Sequence, residues 1–200
     1  MEILCNAICE AWQKVIKNVE QENHPLSSEK TLVFSFMWEL KTILPNIKFD
    51  FESRVYENID NTDKYLDLLI YLKEDDKIAL EFKLPKSTEK GGSNKTDTRR
   101  NIYKDLLRLN YLVTNQINNI KKAYFLCATN ERVYLNDGTY EKYPEFKVYK
   151  GYKLESGFYY PEFDNLPALS KDLCFSWTNT TCQNNKNVIK GNFAWLLISF

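Results

Sequence analysis

The sequence contains one histidine, His24, and that scarcity excludes much metal and acid–base chemistry. A structural zinc cluster, an H-E-x-x-H pair or a histidine-based metal finger needs more imidazoles, or thiolates at ligand spacing. A Ser or Cys triad would have to recruit His24 from beside Pro25, and no nucleophile motif supports one. Cys5, Cys9, Cys127, Cys174 and Cys182 are odd in number and contain no C-x-x-C, so they read as reduced thiols of a cytoplasmic protein. The glycine-rich patterns that cradle phosphates are missing, and no nucleotide cofactor is expected. No apolar run is long enough to span a membrane, and acidic Glu2 stands where a leader peptide would be basic. Net charge is absent too: 27 basic residues balance 27 acidic ones.

The charge that is present is unevenly placed. Between residues 86 and 122 nine basic residues face three acidic ones, a local excess of +6. The plain reading is a solvated helix face; the functional one is a surface for phosphates. Apolar spacing predicts a helix over 3–22, with Ile8, Trp12, Val15, Ile16 and Val19 on one face. Ser27 and Ser28 offer caps for a second helix that Pro45 stops, apolar on nearly all sides and therefore expected to be central. Residues 47–52 alternate as a half-exposed strand, and 65–72 and 78–84 are the next two strands. A polar loop containing Gly91 and Gly92 follows. Asp97 is the expected cap of a helix over 98–118, with Ile102, Leu106, Leu109, Val113 and Ile117 inward. Residues 121–129 and 145–152 read as strands. An irregular, aromatic-rich extension over 150–200 closes with a strand in "NFAWLLISF". The order α-α-β-β-β-α-β predicts a single α/β layered domain with a mixed sheet flanked by helices.

Three charges interrupt the greasy hairpin "YLDLLIYLKEDDKIALEFKLPKS": Asp67, Glu81 and Lys83. Glu81 and Lys83 share a face because strand side chains alternate with period two. A three-residue loop over 74–76 would set Asp67 opposite Lys83 and diagonal to Glu81, so the three converge. Two acids and an ammonium on a buried sheet form either an ion-pair network or a site.

Asp67, then Glu81-Phe82-Lys83 on the next strand, resembles the signature of the PD-(D/E)XK, restriction-endonuclease-like nuclease superfamily, in a subgroup of small bacterial proteins described as restriction endonucleases. "SSEKTLVFSF", "YLD", "YKDLLRL" and "AYFLCATNERVY" are similar to that subgroup's flanking segments. The resemblance covers about residues 27–134 and matches the family's α-β-β-β-α-β core. Leu66 departs from the signature's first Pro. The resemblance implies a metal-dependent endonuclease hydrolysing DNA phosphodiesters, using Mg²⁺ or Mn²⁺, in restriction or phage defence. Asp67, Glu81 and the Phe82 backbone carbonyl would hold the ion, with Lys83 orienting the attacking water. Of two acids on the second helix, Glu29 shares a stripe with Val33, Phe36 and Leu40 and is the expected further catalytic and metal-binding carboxylate, whereas Glu39 lies on the polar stripe and is expected to be solvated. Lys86, Lys95, Arg99, Arg100, Lys104 and Arg108 are the expected DNA contacts. For Asp105 and Arg108, three apart on a helix, mutual pairing is the alternative. A non-cleaving nucleic-acid-binding module of the same fold is the alternative function, and a homodimer is left open.

Overall fold

Helix α1 (Glu2–Glu20) buries the predicted stripe of Ile8, Trp12, Val15 and Val19, which a 3.6-residue period sets on one side. The computed structural model describes residues 1–21, 23, 25–56, 59, 65–72, 75–87, 94–138, 143–163, 166–178 and 193–200. His24, Cys182, Glu74 and the centre of the glycine loop with Lys90 lie outside them. Ser28 caps α2 (Glu29–Ile43), its hydroxyl accepting the Thr31 N–H at 3.2 Å. This helix is not central. It buries Leu32, Val33, Phe36 and Leu40 against α1 and the sheet, while Phe34 and Trp38 are each 62% exposed. Glu39 is not simply solvated either: Asn18 Nδ2 donates to its Oε1 at 2.8 Å across the α1–α2 seam.

Strands β1 (Lys48–Ser53), β2 (Leu66–Tyr71), β3 (Lys77–Lys83), β4 (Ile120–Thr129) and β7 (Ala194–Ser199) form one five-stranded sheet in the order β1-β2-β3-β4-β7. Neighbours are antiparallel except β3 and β4, which are parallel and joined through helix α3 (Lys95–Thr114). A parallel pair needs a long crossover, and α3 supplies it. The helix starts three residues earlier than the reading from Asp97, because Asn94 is the cap and Asp97 supplies the N–H. Its end at Thr114 leaves Ile117 in a short 3₁₀ turn.

Period-two alternation divides the core into two layers. Leu68, Ile70, Ile78, Leu80, Phe82 and Leu126 face α1 and α2. Leu69, Ala79, Phe125 and Cys127 face the buried side of α3. The opposite side of α3 is covered as well, by residues 143–178, whose Phe146, Val148, Phe163, Leu169, Phe175 and Trp177 join the same layer. Among the described residues of that covering segment there are only two two-residue strands, β5 (Lys153–Leu154) and β6 (Leu173–Cys174). The strand expected over 145–152 does not form. Side chains satisfy its backbone instead: Tyr103 Oη donates to Lys147 O at 2.6 Å and Trp177 Nε1 to Val148 O at 2.7 Å. Among the described residues no helix is long and apolar enough to cross a membrane.

Asn110 on α3 fastens this covering layer. It is buried, donates to Ala168 O at 3.3 Å and accepts the Ser170 N–H at 3.1 Å. Replacing it with Ala leaves two backbone groups without their partner, at a cost of about 1–3 kcal/mol. Asn110→Ala should therefore lower the urea midpoint with an unchanged far-ultraviolet spectrum, and should speed proteolysis within residues 143–178 before the rest.

Candidate active site

The β2–β3 pairing runs Leu68–Leu80, Leu69–Ala79, Ile70–Ile78 and Tyr71–Lys77. Extended by one step, it sets Asp67 across from Glu81, with Lys83 on the diagonal. The Leu72 N–H meets Asp76 O at 2.8 Å, so Asp76 pairs across the hairpin rather than lying in a loop over 74–76. The two-residue slip corrects the pairing but keeps its parity, so the three charges still share the face turned toward α3. Their partners then differ from those expected. Asp67 Oδ2 accepts the backbone N–H of Phe82 at 2.7 Å, tying the acid to the neighbouring strand.

Lys83 is the hub. Its ammonium stands 3.0 Å from Asp105 Oδ2 on α3 and 3.6 Å from Glu29 Oε1 at the start of α2, and it also donates to the Phe82 carbonyl at 3.2 Å. Glu29 is held by the Leu84 N–H at 3.2 Å, so the acid chosen on helical geometry does reach the hairpin. For Asp105 the alternative reading is a pair with Arg108. That pair exists at 3.3 Å, but both residues are buried and Asp105 bridges to Lys83 as well. Arg108 in turn lies over the Tyr56 ring, 5.3 Å from its centroid, and Tyr56 Oη donates to Glu81 Oε1 at 2.7 Å. A continuous circuit thus runs Glu81–Tyr56–Arg108–Asp105–Lys83–Glu29. Tyr56 was invisible to sequence reasoning, since it sits outside every strand and motif. Asp105 was visible only as half of an i, i+3 pair.

The electrostatics assign different states to the two ends of the circuit. Burial pulls the Lys83 ammonium pKa down, but Asp105, Glu29, Glu81 and Asp67 outweigh it and hold it well above the ordinary lysine range. Lys83 is thus a fixed cation, fit to donate hydrogen bonds and unable to act as a base at neutral pH. Glu81 goes the other way. Burial, then the charges of Asp67 and Asp105, push its carboxyl well above the usual range, and it shares a hydrogen bond with Asp67. Glu29 is raised more mildly: burial and Asp67 oppose Lys83 and the Leu84 N–H.

Asp67 and Glu81 suit a hard divalent cation by donor type, and the upward push that burial and Asp67 give the Glu81 carboxyl is one that a bound cation would relieve. Among the described residues no three acidic, histidine or cysteine side chains form a ready cage. A magnesium site held by one or two carboxylates, with water and phosphate for the rest, needs no such cage.

Of the expected DNA contacts, Arg99 and Arg108 are buried and not open to a phosphate. The others are at least partly accessible but engaged. Lys86 donates to Leu26 O at 2.7 Å, Lys95 stands 3.6 Å from Glu131, and Arg100 pairs with Glu162 at 3.3 Å while lying over Phe163. Lys104 is half-buried. No protein-family model, curated protein or solved structure matches the chain.

Because burial makes the Glu81 carboxyl hold its proton more tightly in the fold than in the unfolded chain, the stability tied to that group is complete below the ordinary glutamate range. It is lost as pH rises toward the higher folded value. Glu81→Gln keeps the neutral shape and the Tyr56 bond without the proton. It should be more stable than the parent at pH 7, and its denaturation midpoint should change less between pH 4 and 7. An unchanged slope would mean that Glu81 is ionised in the fold.

Proposed function

We propose that this protein is a metal-dependent endonuclease that hydrolyses DNA phosphodiesters, of the restriction-endonuclease-like kind its Asp67, Glu81 and Lys83 resemble. The observation that supports this best is the convergence on one sheet face of Asp67, Glu81 and Lys83, with Asp67 bound to the Phe82 N–H and the Lys83 ammonium set between Asp105 and Glu29. A structural ion-pair network needs only balanced charge. Here an acid is kept near Asp67 in a form that a cation would ionise.

Asp67, Glu81 and the Phe82 carbonyl are the groups to hold Mg²⁺ or Mn²⁺, with Glu29 adjoining. Such an ion, when bound, polarises a phosphodiester and makes a coordinated water more acidic. The chain's own residues then have separate tasks. Asp67 fixes the register of the site through the Phe82 N–H. Lys83, a donor that never empties, orients the attacking water and meets charge developing on the phosphate. Asp105 and Glu29 aim its ammonium from two helices. Tyr56 keeps Glu81 facing Asp67 through its 2.7 Å bond. Phosphates are read by Lys86, Lys95, Arg100 and Lys104. Arg108 serves the circuit instead.

Plasmid DNA incubated with Mg²⁺ or Mn²⁺ should be nicked or cut. Lys83→Ala should slow cleavage by about 10² or more while affinity stays within a few-fold, since the interactions lost are those that strengthen in the transition state. Cutting that survives Lys83→Ala would rule out this mechanism. Binding without any cutting, in wild type and variant alike, would leave the non-cleaving nucleic-acid module as the function.

A second measurement separates contact from scaffold. Arg100→Ala with Lys104→Ala should flatten the salt dependence of DNA binding by about two phosphate contacts' worth. Arg108→Ala should leave that slope alone and lower the melting temperature instead.

A further inference from the structure

Helix α2 presents a stripe that nothing in the circuit uses. Phe34 and Trp38 are each 62% exposed, one turn apart, and Phe51 on the adjoining strand is 46% exposed. Both ends of the stripe are pinned to β1. Lys30 reaches Glu52 at 3.4 Å, and Lys41 donates to Ile47 O at 2.8 Å. The two aromatics therefore run alongside β1, which is the terminal strand of the sheet. Among the described residues, β2 is its only strand neighbour, so a row of backbone donors and acceptors faces outward.

The sequence of that edge is self-complementary. In "IKFDF", residues 47–51, an antiparallel partner of the same sequence centred on Phe49 sets Lys48 of each copy against Asp50 of the other. It also sets Ile47 against Phe51. Neighbouring registers are mismatched: centring on Lys48 or Asp50 opposes like charges, and centring on Phe51 opposes Asp50 to Glu52. Cross-strand pairs of opposite charge stabilise a sheet and like charges destabilise it, so charge selects one register. Phe49 and Phe51 pair with Ile70 and Leu68, which point into the α1–α2 layer. Ile47 and the two phenylalanines are therefore on the α2 side and the charges on the other. A two-fold axis normal to the sheet keeps both α2 stripes on one side, where they would flank the joined strands.

We propose that the outer edge of β1 and the Phe34–Trp38 stripe form a two-fold interface with a second copy of this chain, in the register centred on Phe49. A different protein would have no cause to match Lys48 and Asp50 reciprocally. The interface is independent of the nuclease reading and survives its failure.

Light scattering and sedimentation at micromolar concentration test it, with melting curves as the folding control. The wild-type chain should have twice the single-chain mass. Lys48→Asp and Asp50→Lys, each alone, should weaken association by about tenfold or more, because each creates two like-charge pairs. The double swap Lys48→Asp with Asp50→Lys should recover dimerisation. Phe34→Ser with Trp38→Ser changes exposed side chains only, so it should weaken association similarly without lowering the melting temperature. It decides the matter alone if a charge variant does not fold. Single-chain mass for the wild type, a double swap no tighter than the single ones, or unaltered association of the serine pair would each overturn the proposal.

Discussion

The contact between Lys83 and Asp105 is the constraint around which the rest is arranged. An ammonium taken out of water costs several kcal/mol unless opposite charge stands close by, and Lys83 has a carboxylate at 3.0 Å on another element. For Asp105 to be there, α3 must cross the sheet at one height and one rotation. That rotation also brings Arg108 over Tyr56, and Tyr56 to Glu81. The crossover between two parallel strands thus sets the rotation of a helix and the states of three ionisable groups together. A small rotation of α3 would leave a buried cation facing apolar side chains.

The covering segment, residues 143–178, makes this arrangement possible. On a two-layer protein the outer face of α3 would be wet, and polar groups there such as Asn110, which binds Ala168 and Ser170, would pair with water. With Phe146, Phe163 and Phe175 packed over it, the first and last against the helix's own Tyr103, α3 is enclosed on both sides and its polar residues must find fixed partners. The aromatic content of the last third of the chain contributes shielding, as ring packing such as Phe146 on Phe163 requires little regular backbone.

Much of this could be read from residues alone, for a reason specific to sheets. Period-two alternation fixes which side chains share a face for every register of the same parity, so the convergence of Asp67, Glu81 and Lys83 was legible although the observed pairing differs by two residues. Glu29 was legible because helical phase separates it from Glu39. Asp105 as the partner of Lys83 was not, since an i, i+3 pair with Arg108 looks the same on an exposed helix as on an enclosed one. Only the covering layer distinguishes them, and its residues carry no period. The centrality expected of α2 failed for the same kind of reason. Apolar residues all round a helix signal burial only if some element covers the far side, and composition does not name that element.

The sheet order also has a consequence for how the protein is made. Strand β4 is inner only after β7 has paired with its far side, and the two are more than sixty residues apart in the chain. A ribosome adding about 5–20 residues per second leaves "AYFLCAT" as an open, greasy border for several seconds. During that interval nothing in the finished sheet protects it from pairing with another nascent strand. The more slowly the chain is elongated between residues 130 and 194, the longer that border stays unpaired.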